Sequence, residues 1–208
     1  MPRRPRTATA GLTFHLMNRT AQKIPLFECA DDYTAFERIL FQAIHRSDVA
    51  VFAYCLMPNH WHLVASARVD GALSRFMHWL TTTHARRWRI VKKSAGQGAV
   101  YQGRFRAVHV TSDDHFLCVC RYVERNALRA RLVDRAEEWQ WSSLWRRCGH
   151  ADARSLARWP VKEPGDWLEL VNANQTLTEI DSCRCTQRRR ALAASFGTRN
   201  ESRPLIDN

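Results

Sequence analysis

The chain has 208 residues and a mass of 24.2 kDa, enough for one substantial core with a small appendage and too little for several large domains. A hydrophobic share of 45% excludes wholesale disorder, and no run of about eighteen apolar residues marks a transmembrane helix. The 32 Lys and Arg outweigh 20 Asp and Glu, giving a net charge of +12 and a pI near 10.1, a surface that attracts polyanions and nucleic acid above all.

The opening MPRRPRTATA is basic but has no apolar stretch behind it, so it does not read as a signal peptide. The expectation is a flexible basic arm over residues 1–10 and a cytoplasmic protein with no membrane partner. Residues 12–17 alternate loosely and predict a strand. Asp31 and Asp32 suit the start of a helix running to about Ser47, with Phe36, Ile39, Leu40, Ala43 and Ile44 as its apolar stripe. Residues 49–56 are rich in β-branched and aromatic side chains and predict a second strand. Pro58-Asn59 is a turn signal, and residues 60–66 return as a third strand, with His60 and His62 on one face and Trp61 and Leu63 on the other.

A second helix is expected from about Gly71 to Arg89, a strand over residues 104–110, and a third helix over residues 113–130, capped by Thr111 or Ser112. A short helical segment over residues 139–147 turns Trp141 and Leu144 inward. Beyond Gly149 the pattern weakens, with short ordered pieces expected at residues 168–171 and 177–180. Three amphipathic helices interleaved with four strands predict an α+β fold, a ferredoxin-like sandwich with a central antiparallel sheet packed by helices.

Between Gly71 and Ser112 there is no Asp or Glu. That stretch carries Arg75, Arg86, Arg87, Arg89, Lys92, Lys93, Arg104 and Arg106, and a further cluster, Arg188, Arg189 and Arg190, lies near the C-terminus. These are the candidate nucleic-acid-binding residues, suited to phosphate contacts rather than to reading bases. The 7 cysteines are irregularly spaced. Cys118 and Cys120 read as small hydrophobes in a helix, and Cys183 and Cys185 lack the second pair of a zinc site.

Two groupings could carry chemistry. His60 and His62 sit one pleat apart, so their imidazoles can converge on one cation; they can equally be ordinary histidines beside a turn. Tyr122 and Asn126 are four residues apart and share a helix face. Tyr122 offers a nucleophilic hydroxyl and Asn126 a carbonyl oxygen; a core tyrosine and a surface amide are the structural alternatives. Arg121, Arg125 and Arg129 lie beside that face, as phosphate contacts or as a solvated surface.

Five segments in order, FHLMNRT, YCLMPNHWHLV, VYQGRFRAVHV, RYVERNALRARLV and EWQWSSL, span residues 12–147. With them the chain resembles the IS200-like transposases that use a single catalytic tyrosine, and in particular their REP-associated branch. The resemblance implies a ferredoxin-like core, Tyr122 as nucleophile, and Mg²⁺ or Mn²⁺ held by His60, His62 and Asn126. It implies attack on single-stranded DNA to give a 5′-phosphotyrosine link and a 3′-hydroxyl, on imperfect palindromes folded as hairpins. It also implies a catalytic domain over residues 11–148 and a C-terminal extension with a basic tail over residues 149–208. Monomer and homodimer are both represented among relatives. His15, in the first strand, is expected in the core or behind the site rather than as a ligand. Two departures stand out: the Pro-x-Gly expected near the C-terminus is missing, and Asn126 is followed by Ala127 where the family has proline. The alternatives are a DNA- or RNA-binding protein that kept the fold and lost the chemistry, and a metal nuclease that uses water instead of tyrosine.

Overall fold

The computed structural model describes residues 9–21, 25–94, 96 and 98–184. The strands are β1 (Thr13–Arg19), β2 (Val49–Met57), β3 (His60–Ala67) and β4 (Arg106–Val110). They form one antiparallel sheet in the order β2-β3-β1-β4. The helices are α1 (Ala30–His45), α2 (Ala72–Val91), α3 (Asp113–Glu124), α4 (Asn126–Arg129), α5 (Ser143–Trp145), α6 (Trp167–Asn172) and α7 (Leu177–Arg184). The run β1-α1-β2-β3-α2-β4 with this strand order is the expected ferredoxin-like arrangement. No helix among the described residues is long and apolar enough to cross a membrane.

Each face of the sheet covers its own core. On one side α1 and α2 bring Phe36, Ile39, Leu40, Leu73, Phe76 and Leu80 against Leu16, Trp61 and Leu63. On the other, α3 brings Phe116, Val119, Cys120 and Val123 against Cys55 and Val64. The period of two in β3 assigns its side chains: Trp61, fully buried, faces the first core, and His62 faces the second side. In register, His62 lies opposite Met17 on β1 and Cys55 on β2, and Met17 lies opposite Arg106 on β4. One cross-strand row therefore runs Cys55, His62, Met17, Arg106.

Helix α3 starts where a side chain can take the orphan amides: the Ser112 hydroxyl accepts from the His115 N–H at 3.2 Å, with Asp113 and Asp114 in the first turn. The single helix expected over residues 113–130 is instead interrupted at Arg125, between α3 and α4. The residue at the break sends its guanidinium sideways, to the carbonyls of Val171 and Asn172. The chain then ends in a Schellman turn, Leu132 N–H to Ala127 C=O at 3.0 Å and Arg131 N–H to Leu128 C=O at 2.9 Å. Arg131 occupies its left-handed position, at φ +58.

The short helix expected over residues 139–147 starts later, as α5 continued by a π-helical stretch over Arg146–His150, and Trp141 and Leu144 both turn inward, but toward opposite cores. Residues beyond Gly149 are more ordered than their pattern predicts. Helices α6 and α7 pack on α3, burying Trp167, Val171 and Cys183 in the second core.

Candidate active site

His15, His60, His62, Tyr122 and Asn126 line one cavity of ≈ 460 Å³, with Met17, Arg106 and Arg129 among their neighbours. Strand β3 supplies His60 and His62, β1 supplies His15, and the α3–α4 segment supplies Tyr122, Asn126 and Arg129. The residues singled out for chemistry in the sequence are thus brought together from three elements. His15, His62, Tyr122 and Asn126 are all buried, and His60 is half-buried. The His60 and His62 ring centres are 5.0 Å apart, and the Tyr122 ring lies 5.7 Å from both His62 and His15.

The hydrogen bonds decide which nitrogen of each imidazole carries a lone pair. His15 Nδ1 lies 3.1 Å from the Cys183 carbonyl, which can only accept, so Nδ1 donates. Burial pushes the His15 imidazole down to about 4, so the ring is neutral at ordinary pH and its Nε2 accepts. The donor to that nitrogen is His62 Nδ1, at 2.9 Å, which puts the His62 lone pair on Nε2. His60 Nδ1 donates to the Asn59 side-chain oxygen at 2.6 Å. Burial, then the positive charges of Arg129 and Arg19, hold His60 down to about 4, so its lone pair also sits on Nε2. His15 thus stands behind His62 and orients it, as outer partners of metal-binding histidines do.

Arg129 Nη2 donates to the Tyr122 hydroxyl at 3.1 Å and to Asn126 Oδ1 at 2.8 Å. Its guanidinium carbon lies 4.3 Å above the Tyr122 ring. Asn126 Nδ2 and Arg129 Nη1 are buried with no hydrogen-bond partner among the described residues. Among the described residues no three His, Cys, Asp or Glu side chains gather as a metal cluster. The donors on offer are two imidazole nitrogens and one amide oxygen, a mixed set that suits Mn²⁺ better than Mg²⁺.

Two of the three arginines of the α3–α4 face are engaged by the C-terminal helices. Arg121 donates to the carbonyls of Leu170, Ala173 and Asn174 and pairs with Glu179 at 2.9 Å. Arg125 holds Val171, Asn172 and Asn174. Both staple the C-terminal helices to α3. Cys183 is buried beside Cys118, the two thiols 3.5 Å apart, and its carbonyl reaches His15. Nothing local in the sequence marks that 168-residue link. The role of Arg129 had a signal, since it sits three residues beyond Asn126 and seven beyond Tyr122, on one helical face.

The basic residues of the acid-free stretch line several hollows. Arg106 alone of it lines the Tyr122 cavity. Arg86, Arg89 and Arg104 line a second cavity of ≈ 720 Å³ between α2 and residues 99–105, and Arg75 lines a third near the start of α2. Arg87 and Lys93 are exposed on α2 and just after it. Lys92 pairs with Glu28 and Asp32, at 2.5 and 3.0 Å. Arg188, Arg189, Arg190 and Cys185 lie outside the described residues, as does most of the expected N-terminal arm.

The family model for IS200-like transposases matches residues 8–126, more than half of the chain. The chain belongs to the IS200-like transposase family. The matched segment contains β1 to α3 and the first residue of α4, and so includes His15, His60, His62, Tyr122 and Asn126. Among solved structures, a REP-associated tyrosine transposase bound to a REP hairpin superposes with a TM-score of 0.59 at 13% identity, covering 79% of this chain and 98% of that one. A candidate transposase from Deinococcus radiodurans R1 gives 0.42 at 19% identity, covering 59% and 96%. No curated protein sequence matches this transposase.

Proposed function

We propose that this transposase cuts and rejoins single-stranded DNA through Tyr122, acting in the cytoplasm on imperfect palindromes folded as hairpins. The observation that carries the reading is the meeting of Tyr122, His60, His62 and Asn126 on one cavity, with Arg106 at its side. The Tyr122 oxygen attacks the scissile phosphorus. The bond from phosphorus to the 3′ oxygen breaks, leaving a 5′-phosphotyrosine and a 3′-hydroxyl, and attack by a 3′-hydroxyl on that link reverses the step. Because the phosphodiester energy is kept in the covalent link, joining needs no external energy source.

The residues fit a divalent cation, Mn²⁺ or Mg²⁺, held by His60 Nε2, His62 Nε2 and Asn126 Oδ1. Both imidazoles present a lone pair on Nε2, and the Asn126 oxygen keeps a second lone pair beside its bond from Arg129. When bound, the cation would polarise a phosphate oxygen. Arg75, Arg86, Arg87, Arg89, Lys93, Arg104 and Arg106, with Arg188, Arg189 and Arg190 in the tail, are proposed to contact DNA phosphates; Lys92 contributes less, because two carboxylates already neutralise it. The known complex of a family-like fold with a REP hairpin supports this substrate class. We take residues 11–148 as the catalytic domain, with the extension from residue 149 closing its second core. Monomer and homodimer both suit this reading.

The test is a denaturing gel of protein incubated with Mn²⁺ or Mg²⁺ and labelled hairpin DNA from around its own gene. Label should move to protein size, and Tyr122→Phe should abolish that shift while leaving DNA binding intact. Cleavage that persists in Tyr122→Phe would point to water as nucleophile; binding without cleavage by the wild type would point to a binding protein.

A further inference from the structure

Three arginines follow one another at four-residue spacing along the α3–α4 segment, and they have different partners. Arg121 and Arg125 give their N–H groups to backbone carbonyls of the C-terminal helices, and Arg121 also has a carboxylate. Arg129 has neither. Its hydrogen-bond partners are the Tyr122 hydroxyl and Asn126 Oδ1, its Nη1 is buried without an acceptor, and it forms no ion pair among the described residues. A buried donor with no acceptor destabilises a fold, and more so when it is charged. A cation kept in that condition on the wall of a cavity is satisfied when an anion enters.

We propose that Arg129 is a catalytic residue of the strand-cutting step, its guanidinium holding the Tyr122 oxygen through Nη2 and taking a non-bridging oxygen of the scissile phosphate through Nη1. This inference rests on the reading of Tyr122 as nucleophile. The bond from Arg129 to the phenol oxygen uses one lone pair and leaves another for attack. As the oxygen–phosphorus bond forms, the phenolic proton leaves to water; as the bond to the 3′ oxygen breaks, that oxygen takes a proton from water. Arg129 keeps all its protons throughout. Its charge faces the phosphoryl group where negative charge concentrates, and a planar fork spanning two oxygens fixes attacker and target together. A lysine at this position supplies the charge but not the two-oxygen span.

The experiment compares wild type, Arg129→Ala, Arg129→Lys and Tyr122→Phe in single-turnover cleavage of labelled hairpin DNA with Mn²⁺. Hairpin affinity and thermal unfolding are measured on the same samples. Arg129→Ala is expected to slow adduct formation by roughly 10²–10³-fold, the usual effect of removing one transition-state donor. Its hairpin affinity should change far less than its rate. Added guanidinium, below denaturing concentrations, should restore part of the lost rate in Arg129→Ala and none in Tyr122→Phe. Arg129→Lys, which keeps the charge and most of the packing, should fold and still cut at least about tenfold more slowly, and it decides the question if the alanine variant does not fold. Wild-type rates in either folded variant, or a loss in Arg129→Ala that tracks affinity and is not rescued, would overturn the proposal. Absence of an adduct in the wild type would overturn the tyrosine reading and this inference together; an adduct in wild type that Arg129→Ala forms as fast would overturn this inference alone.

Discussion

The two faces of the sheet are closed by different parts of the chain. Behind one face, α1 and α2 lie between the strands they cover, and their stripes reach a core centred on Phe36, Trp61 and Leu80. Behind the other face, α3 begins the cover, and α4, α5, α6 and α7 complete it from residues 126–184. The first face combines apolar packing between neighbouring segments with polar ties of its own, among them Glu37 to Tyr54 and Arg146, and Lys92 to Glu28 and Asp32. The second adds a set of long-range polar bonds: Arg121 and Arg125 to carbonyls of residues 170–174, Glu124 to Ser143 and Trp167, and His15 to Cys183. The cavity with Tyr122 opens on this second face. On the proposed reading, the site that takes a DNA strand sits where the cover is assembled from pieces, and the core built by α1 and α2 lies on the other side.

That contrast can be broken most severely by removing the pieces. A chain ending at residue 148 loses Trp167, Val171 and Cys183 from the second core and leaves Arg121 and Arg125 without their carbonyls. The apolar loss alone, at about 1.5–3 kcal/mol for each large side chain, approaches the whole stability of a typical domain. Urea unfolding should find little cooperative structure, and a truncated chain that unfolds like the full one would show that α3 needs no cover. On the face under α1 and α2, Trp61→Ala should cost about 3–5 kcal/mol in the same measurement, because a fully buried indole leaves a cavity.

Acid should act on both faces. His84, buried between α1 and α2, is pushed down to about 4 by burial, as is His15 on the site face. In the unfolded chain each returns to near 6.5, so between those values the unfolded chain binds more protons. Stability is therefore greatest above the unfolded value and falls with pH, by about 2 kcal/mol for each buried histidine between pH 7 and pH 5. Unfolding midpoints across that range check the slope, and His84→Gln should remove roughly a third of it, because His60 carries the same shift as His84 and His15. The smallest effect is a gain. Arg131 is exposed and left-handed in the Schellman turn, where glycine fits without strain, so Arg131→Gly should stabilise by about 1 kcal/mol.

The face under α1 and α2 was legible in the sequence, and the one under α3 only in part. The stripes of α1 and α2 repeat at helical spacing, and the alternation through His60, Trp61, His62 and Leu63 told the two faces apart before any coordinates. Both signals are local. The pairing of Tyr122 with Asn126 was legible for the same reason, although the helix carrying them breaks at Arg125, because a side chain bonded across to Val171 has no signature in its neighbours. The packing of α6 and α7 was not legible either: Trp167 and Val171 are too few, on too short a helix, to give a period. The basic stretch is contiguous in sequence, and contiguity does not say where its side chains go. Helix α2, the loop after it and the start of β4 distribute them over three hollows, Arg75 in one, Arg86 with Arg104 in a second and Arg106 in a third.

The bond from His15 to residue 183 ends on a carbonyl, which every amino acid possesses. Exchanging Cys183 for another small apolar residue leaves that acceptor in place, whereas inserting or deleting one residue between α6 and α7 moves it away. At this point the chain is constrained in length more than in identity. Comparing related sequences position by position would rank residue 183 as replaceable and overlook it, while the spacing between the two helices would record what the imidazole behind His62 requires.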